Sequence, residues 1–283
     1  MIYIPRGYVL LERNKTAVVV KDSFREPLLA QGIADPAVLS AAFEDAGEGH
    51  TGRGTLLRIP ITGRSGETMV IRKYLRGGML RLVNRDLYWG RNRPFEELMV
   101  TTRAAVRGIS VPEMLAAVSI HVAGSFFHGY LISRELSLCL DLPAYINSIC
   151  DKGEEAFCTG KREVLAQVAE AVRTMHDTGF VHGDLNMKNI MVDAGDALRV
   201  YIIDWDKSRH DENLGQQERS ANVVRFCRSM AKFERKGLAV SPDDQLYFME
   251  QYWNDSKQAA ADFRCLKRTL ILRNIFWSLT RQV

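Results

Sequence analysis

The chain has 283 residues, of which 46% are hydrophobic and 25% are charged, a balance typical of a globular protein with one large domain or two lobes. The formal net charge is only +4, so any strongly basic surface has to be local. The five cysteines are odd in number and form no Cys-x-x-Cys pair, which argues against a disulfide framework or a zinc site and favours a reducing cytoplasm.

A glycine-rich segment is the first informative element. The residues at the N-terminus, Met1–Gly7, lack the features of a secretory signal, so export is not expected. Residues 47–54 satisfy G-x-G-x-x-G and lead into a predicted strand at Thr55–Ile59. Glycines let backbone N–H groups approach phosphate oxygens closely, although an ordinary tight turn explains the same spacing. The candidate nucleotide-binding glycines are Gly49, Gly52 and Gly54.

The next predicted strand, Thr68–Tyr74, carries a candidate phosphate-binding lysine. A lysine on a strand beside a glycine-rich loop can reach the α- and β-phosphates of a nucleotide, and Lys73 is our choice for this role. Arg72 is the alternative and points to the opposite face, because successive side chains of a strand alternate between faces. A solvated surface charge is the ordinary explanation of a lone strand lysine.

Residues 72–93 form a basic segment with seven Lys or Arg residues and a single acid. Leucines and aromatic residues are interleaved with the basic ones, so the segment suits an anionic lipid surface or a carboxylated or phosphorylated acceptor. We name Arg76 and Arg81 as candidate acceptor-binding residues. The sequence has no zinc-finger, helix-turn-helix or RNA-recognition motif, so nucleic acid is not an expected partner, and a solvated loop is the alternative.

A helix and a hairpin are predicted between the basic segment and the middle of the chain. Proline in the first turn and glycine at the stop favour a helix over residues 92–108. Glu97 in this helix is expected to pair with Lys73 and to orient it. Residues 114–133 include no Asp, Glu, Lys or Arg, but their polar and small residues favour a β-hairpin over a membrane span. Glu135 then lies in the expected hinge between two lobes, where backbone groups would form hydrogen bonds with the adenine of a nucleotide.

The second half of the chain is predicted to be mainly helical. Helices are predicted over Leu142–Ile149 and Lys161–Thr178 from their apolar spacing. The C-terminal segment Phe263–Val283 carries five basic residues among apolar ones. Such a helix lies on a membrane surface or packs onto its own lobe, and we prefer packing.

The segment Val181–Asn189 says most about function. It places an Asp in a His-Gly-Asp turn and an Asn five residues later, and Asp204 follows a predicted β-hairpin. Phosphoryl transfer needs a carboxylate near the attacking hydroxyl and oxygen ligands that hold magnesium against the phosphates. We therefore predict an ATP-dependent kinase in which Asp184 is the catalytic base and Asn189 and Asp204 bind Mg²⁺.

These elements together predict an α+β fold with the two lobes of a protein kinase. The N-terminal lobe, residues 1–135, is expected to be an antiparallel sheet with one helix and to bind the nucleotide. The C-terminal lobe, residues 136–283, is expected to be short and mainly helical, with the catalytic loop and the metal-binding Asp. We treat the two lobes as a single kinase-like domain.

With these residues located, the sequence resembles the lipopolysaccharide kinase family of the protein-kinase-like superfamily. The resemblance implies transfer of the γ-phosphate of ATP to the 4-hydroxyl of 3-deoxy-D-manno-octulosonic acid (Kdo) on a lipid A-linked precursor. It also implies a peripheral position on the cytoplasmic face of a bacterial inner membrane, and no obligate protein partner is inferred. Trp205 stands where such kinases usually have Phe. The segments that carry the resemblance are Thr51–Gly54, Arg72–Gly78, Val181–Asn186, Ile203–Lys207 and Ser220–Ser229.

Four other functions fit parts of the pattern. A lipopolysaccharide heptose kinase uses the same machinery. An aminoglycoside- or choline-type phosphotransferase also uses His-Gly-Asp, but its cationic acceptors call for an acidic pocket rather than the basic segment 72–93. A protein Ser/Thr kinase is disfavoured, because no Ala-Pro-Glu follows Asp204 and the remaining stretch is short. A non-catalytic nucleotide-binding module has no need of the base Asp184.

Overall fold

The computed structural model describes residues 4–45, 56–74, 88–89, 93–195 and 197–280. The chain separates into two compact units. The N-terminal unit comprises Met1–Val106 and Pro112–Ser137, and the C-terminal unit comprises Arg107–Val111 and Leu138–Val283. The first is built on an antiparallel sheet and the second is mainly helical, which confirms the predicted α+β fold class.

Seven strands among the described residues form the sheet of the N-terminal unit. They are β1 (Tyr8–Arg13), β2 (Thr16–Lys21), β3 (Leu56–Pro60), β4 (Thr68–Lys73), β5 (Tyr88–Trp89), β6 (Met114–Ala123) and β7 (Phe126–Arg134). The order is β1-β2-β6-β7-β4-β3, and β5 also pairs with β7. β6 and β7 form the hairpin that the composition of residues 114–133 favours over a membrane span.

Helices cover both faces of this sheet, because its central strands are apolar on both sides. Val18 of β2 packs towards α1 (Arg25–Ala30) and α2 (Pro36–Asp45), whereas its neighbour Val19 packs towards α3 (Arg93–Val106). We expected α3 as the one helix of this unit. The structure adds α1 and α2, which lie in an N-terminal segment for which no element was predicted.

The C-terminal unit contains five helices and two small sheets in its described part. The helices are α4 (Leu142–Ser148), α5 (Glu154–Asp177), α6 (Gln216–Glu234), α7 (Pro242–Trp253) and α8 (Ser256–Thr280). The strands β8 (Leu140–Asp141), β10 (Ile190–Asp193) and β11 (Arg199–Ile202) form one sheet in the order β11-β10-β8. The other sheet pairs β9 (Phe180–Val181) with β12 (Arg209–His210).

α5 is the central helix of this unit and leads into Val181–Asn189, the predicted catalytic segment. From Val164 onwards it buries an apolar stripe, which includes Val164, Val168, Val172 and Met175. This spacing of three to four residues is that of one helix face. α5 begins at Glu154, seven residues before the predicted start. The prediction missed these residues because the first turns of the helix lie at the surface and have no apolar stripe.

α8 packs onto its own unit at its N-terminal end, and Leu266 is the residue of the predicted segment Phe263–Val283 that takes part in this packing. Ala259 and Leu266 are fully buried, and Asp262 accepts a hydrogen bond of 2.9 Å from the indole nitrogen of Trp253. None of the helices in the described ranges has the length and apolarity needed to cross a membrane.

Candidate active site

The β10–β11 hairpin places the two predicted metal ligands at one edge. Ile190 pairs with Ile202 in its register. One step beyond that pair, the backbone N–H of Ile203 donates a hydrogen bond of 2.9 Å to the carbonyl of Asn189. Asn189 directly precedes β10 and Asp204 closely follows β11, so both residues lie at the same end of this hairpin.

His182 connects the catalytic segment to the chain that reaches Asp204. Its Nδ1 accepts the backbone N–H of Asp184 at 3.1 Å, so its Nε2 carries the proton and donates to the carbonyl of Ile203 at 3.0 Å. The ring is 1% exposed, and this burial lowers the pKa of His182, which favours the neutral form that both bonds require. One side chain thus fixes both the backbone of the predicted base, Asp184, and the chain that leads to the predicted metal ligand, Asp204.

Asn189 is held by its amide nitrogen. Nδ2 donates a hydrogen bond of 2.8 Å to the backbone carbonyl of Asp184, within a turn that spans Met187–Asn189. The amide oxygen of Asn189, the atom that suits a hard cation, receives no hydrogen bond from the described residues. In the described residues no group of three or more His, Cys, Asp or Glu side chains is placed to hold a metal.

Asp204 occupies the left-handed backbone region with a φ of 62°, and Lys207 does so with a φ of 61°. Aspartate is among the few residues that adopt this conformation, because its short polar side chain tolerates it. The chain therefore turns sharply after Ile203 instead of continuing β11. Trp205 anchors this turn from within the core, where its indole nitrogen donates to the carbonyl of Ile202 at 2.9 Å.

Gly183 is required because the backbone of the turn at residues 204–207 approaches it closely. A Cβ atom on Gly183 would lie 2.5 Å from the carbonyl oxygen of Asp206 and 2.8 Å from the carbonyl carbon of Lys207. The Gly183 N–H also donates to the hydroxyl of Ser208 at 3.0 Å. The glycine between His182 and Asp184 therefore lets the backbone of residues 206–207 pack against the catalytic segment.

One face of α6 contacts the catalytic segment at three points. Asn222 Nδ2 donates to the carbonyl of His182 at 2.9 Å, and the guanidinium of Arg225 lies 3.4 Å from the carboxylate of Asp184. One turn further, the hydroxyl of Ser229 accepts the backbone N–H of Met187 at 3.2 Å. The spacing 222, 225 and 229 is that of a single helix face.

A buried histidine supports this face from behind. His176 of α5 is 0% exposed, with Nε2 3.1 Å from the amide oxygen of Asn222 and Nδ1 2.6 Å from the hydroxyl of Tyr252. Burial is the main cause that lowers the pKa of His176 to about 4. His176 is therefore neutral near pH 7 and fixes the orientation of the Asn222 side chain. We assigned no role to His176, Asn222, Arg225 or Ser229 from the sequence.

In the N-terminal unit, Arg72 makes the contact with Glu97 that we expected from Lys73. The Arg72 guanidinium forms an ion pair with Glu97, and the hydroxyl of Tyr74 donates to the same carboxylate oxygen. Glu97 is 4% exposed. Arg72 and Tyr74 share the strand face that packs on α3, whereas Lys73 follows Ile71 on the opposite face.

The remaining predicted residues fall into two groups. The backbone N–H of Glu135 donates to the carbonyl of Thr68 at 2.8 Å, and its carboxylate lies 2.7 Å from Nε of Arg58. This N–H therefore extends the sheet and is not the donor that adenine would need. The other predicted residues lie outside the described ranges, and they are Gly49, Gly52, Gly54, Arg76 and Arg81.

Residues 46–252, well over half of the chain, match the profile of the Lipopolysaccharide kinase (Kdo/WaaP) family. The chain belongs to this family. The 3-deoxy-D-manno-octulosonic acid kinase of Vibrio cholerae serotype O1 is 29% identical over 188 residues, which cover 64% of this chain and 72% of the relative. The enzyme of the same name from Photobacterium profundum is 31% identical over 191 residues, which cover 65% and 73%.

A solved structure of this lipopolysaccharide kinase family agrees with the fold. The structure titled "WaaP in complex with acyl carrier protein" superposes with a TM-score of 0.58 at 16% identity, covering 89% of this chain and 97% of that one. The superposition shows that the chain shares this kinase-like fold. As a member of the family the protein is a kinase, and ATP is the phosphate donor that the family implies. These findings confirm the resemblance to the lipopolysaccharide kinase family.

Proposed function

We propose that this kinase transfers the γ-phosphate of ATP to a hydroxyl of Kdo on a lipid A-linked acceptor. The match to relatives named 3-deoxy-D-manno-octulosonic acid kinase, over nearly two thirds of the chain, is the observation that carries the proposal. The 4-hydroxyl is the proposed position. A lipopolysaccharide heptose kinase is the second candidate, because the family is one of lipopolysaccharide kinases and a heptose kinase would use the same base and metal ligands.

Asp184 is the proposed catalytic base. It orients the acceptor hydroxyl and receives its proton as the phosphoryl group is transferred. The bonds from the Asp184 backbone to His182 and Asn189 support this role, because they fix the peptide that carries the carboxylate on both sides. A fixed base reduces the entropy that has to be lost when the acceptor reaches its reactive geometry.

Asn189 and Asp204 are the proposed ligands of Mg²⁺. Two oxygen ligands suit this cation, which usually binds through one or two protein carboxylates or amides together with substrate phosphates. The orientation of the Asn189 amide fits, because its nitrogen is bonded to the Asp184 carbonyl and its oxygen is left for a cation. When bound, magnesium would neutralise charge on the phosphate oxygens.

Arg72 and Glu97 are the proposed nucleotide-orienting pair, in place of Lys73 and Glu97. A buried carboxylate that bonds both Arg72 and Tyr74 holds the guanidinium in one place, and a planar guanidinium suits phosphate oxygens. Lys73 and the glycines Gly49, Gly52 and Gly54 remain candidates for phosphate contacts. The region around Glu135 remains the proposed hinge, where backbone groups other than the Glu135 N–H would bind adenine.

The proposed acceptor is an anionic glycolipid, so a basic membrane-facing surface is expected. We propose that Arg76 and Arg81 bind the acceptor and that the kinase is peripheral on the cytoplasmic face of the inner membrane. WaaP has been solved in complex with acyl carrier protein. Purifying this chain with and without that carrier protein, and comparing its activity, tests our expectation that no protein partner is obligatory.

The decisive experiment compares acceptors. Purified chain is incubated with ATP, magnesium and either Kdo-lipid A or a heptosylated acceptor, and the phosphate is located by mass spectrometry. Phosphate at the Kdo 4-hydroxyl is the expected product. Phosphate only on heptose would establish the second candidate, and turnover of aminoglycosides or choline alone would overturn both.

A further inference from the structure

Arg225 lies directly beside the proposed base. Its Nη1 is 3.4 Å from Oδ1 of Asp184, and the two side chains are 51% and 65% exposed. Arg225 projects from α6, the helix whose neighbouring contacts through Asn222 and Ser229 fix it against the catalytic segment. A positively charged side chain therefore lies next to the carboxylate that has to contact the acceptor.

The contact between Arg225 and Asp184 is weak enough to be exchanged. Strong guanidinium–carboxylate bonds are about 2.7–2.9 Å long and often paired, whereas this one is a single contact of 3.4 Å. Solvent screens an ion pair that is half exposed, so little stability depends on it. Arg225 therefore loses little when it turns from Asp184 to another anion.

The position of Arg225 favours an anion on the acceptor. In phosphoryl transfer the base contacts the acceptor, while the metal ligands contact the nucleotide phosphates. Arg225 contacts the base Asp184, whereas the contacts that hold Asn189 come from the carbonyls of Asp184 and Asn186 and from the N–H of Ile203. Kdo is a sugar acid, so its ring carries a carboxylate as well as the hydroxyl that receives the phosphate.

We propose that Arg225 binds the carboxylate of the acceptor sugar and so selects a sugar acid over a neutral sugar. This inference rests on the proposed function, because it takes the acceptor to be Kdo. A guanidinium presents its N–H donors in a planar fork that matches a carboxylate. The same bond positions the sugar ring, so that the hydroxyl to be phosphorylated lies against Asp184.

The experiment compares two acceptors that differ only in this charge. Kdo-lipid A and its Kdo carboxamide are each phosphorylated by the wild-type chain, by Arg225→Gln, by Arg225→Lys and by Lys232→Gln. Lys232 is the matched control, because it is an exposed basic residue on the same helix. The quantity measured is the ratio of kcat/KM for the carboxylate acceptor to kcat/KM for the carboxamide.

The wild type should prefer the carboxylate by about tenfold to a hundredfold, the usual loss when a bond to a charged group is removed. The Arg225→Gln variant should bring the ratio close to unity, mainly through KM of the carboxylate acceptor. The Arg225→Lys variant should keep part of the preference, and Lys232→Gln should keep all of it. Circular dichroism spectra that match the wild type would show that the variants fold.

Two results would overturn the inference while the proposed function survives. If Arg225→Gln lowers kcat/KM for both acceptors by the same factor, then Arg225 acts on the transferred phosphoryl group or through Asp184. If the wild type does not discriminate between the acceptors, no residue reads the carboxylate. A wild-type chain that phosphorylates heptose but not Kdo would instead remove the proposed function, and the inference with it.

Discussion

Gly183→Ala tests whether the His-Gly-Asp turn and the turn at residues 204–207 are as close to each other as the structure shows. The added Cβ would lie 2.5 Å from the carbonyl oxygen of Asp206, whereas an ordinary contact begins at 3.4 Å. The backbone of residues 206–207 would have to move by close to an ångström, because the opposing atoms belong to the main chain. Asp204 precedes that backbone by two residues and would move with it.

The expected cost has two parts. Inserting a methyl group into a packed site costs about 1–3 kcal/mol of the free energy of unfolding. A displacement of about 1 Å at a catalytic group lowers the rate about a hundredfold, because the reacting groups no longer align. We therefore expect a lower urea midpoint and a kcat near one hundredth of the wild-type value.

Gly160→Ala is the matched control for this substitution. Gly160 lies within α5, and its added Cβ would meet only the terminal methyl of Ile149 at 3.4 Å. Alanine in a helix interior is about 0.5–1 kcal/mol more favourable than glycine, so this variant should be slightly more stable and fully active. A Gly183→Ala protein with the stability and turnover of Gly160→Ala would refute the close approach of the two turns.

Three further predictions concern Asp184, the pair Arg72 and Lys73, and His176. Asp184→Ala should lower kcat by about a hundredfold to ten-thousandfold while ATP binding, measured by titration calorimetry, survives; near wild-type turnover would contradict its role as the base. Arg72→Gln should weaken ATP binding about tenfold or more, and Lys73→Gln should weaken it less; the reverse order would make Lys73 the nucleotide-binding residue instead of Arg72. The pKa of His176 is lowered to about 4 in the fold, so the unfolded chain takes up its proton first as the pH falls below 6.5. The free energy of unfolding should therefore drop by about 2 kcal/mol between about pH 7 and about pH 5, and His176→Phe should reduce this drop in urea titrations; an unchanged drop would contradict the assignment.

Local sequence was sufficient for most of the elements that carry the site. The β-hairpin at residues 114–133 and the strand that begins at Thr68 follow from alternation and composition, which act over a few residues. The beginning of α5 at Glu154 was missed, because its exposed first turns have no apolar period. The helices α1 and α2 were missed as well, since they are short and a period needs several turns to become visible.

Strand alternation also shows what a local pattern cannot decide. It places Arg72 and Lys73 on opposite faces of β4, and we knew this from the sequence. It does not say which face α3 covers. That depends on how β4 lies between β3 and β7 and on which side the helix returns, and the structure puts Arg72 and Tyr74 on the side of Glu97.

The sequence by itself determined the family and the identities of Asp184, Asn189 and Asp204 as candidates, because a kinase site concentrates these residues in two short segments whose spacing is local. Only the tertiary structure decided what surrounds them. Arg225 and His176 contact the site or its supports from distant helices, and Gly183 is required by a backbone that returns from residues 206–207. Such contacts depend on packing between elements, and packing leaves no fixed spacing in the chain.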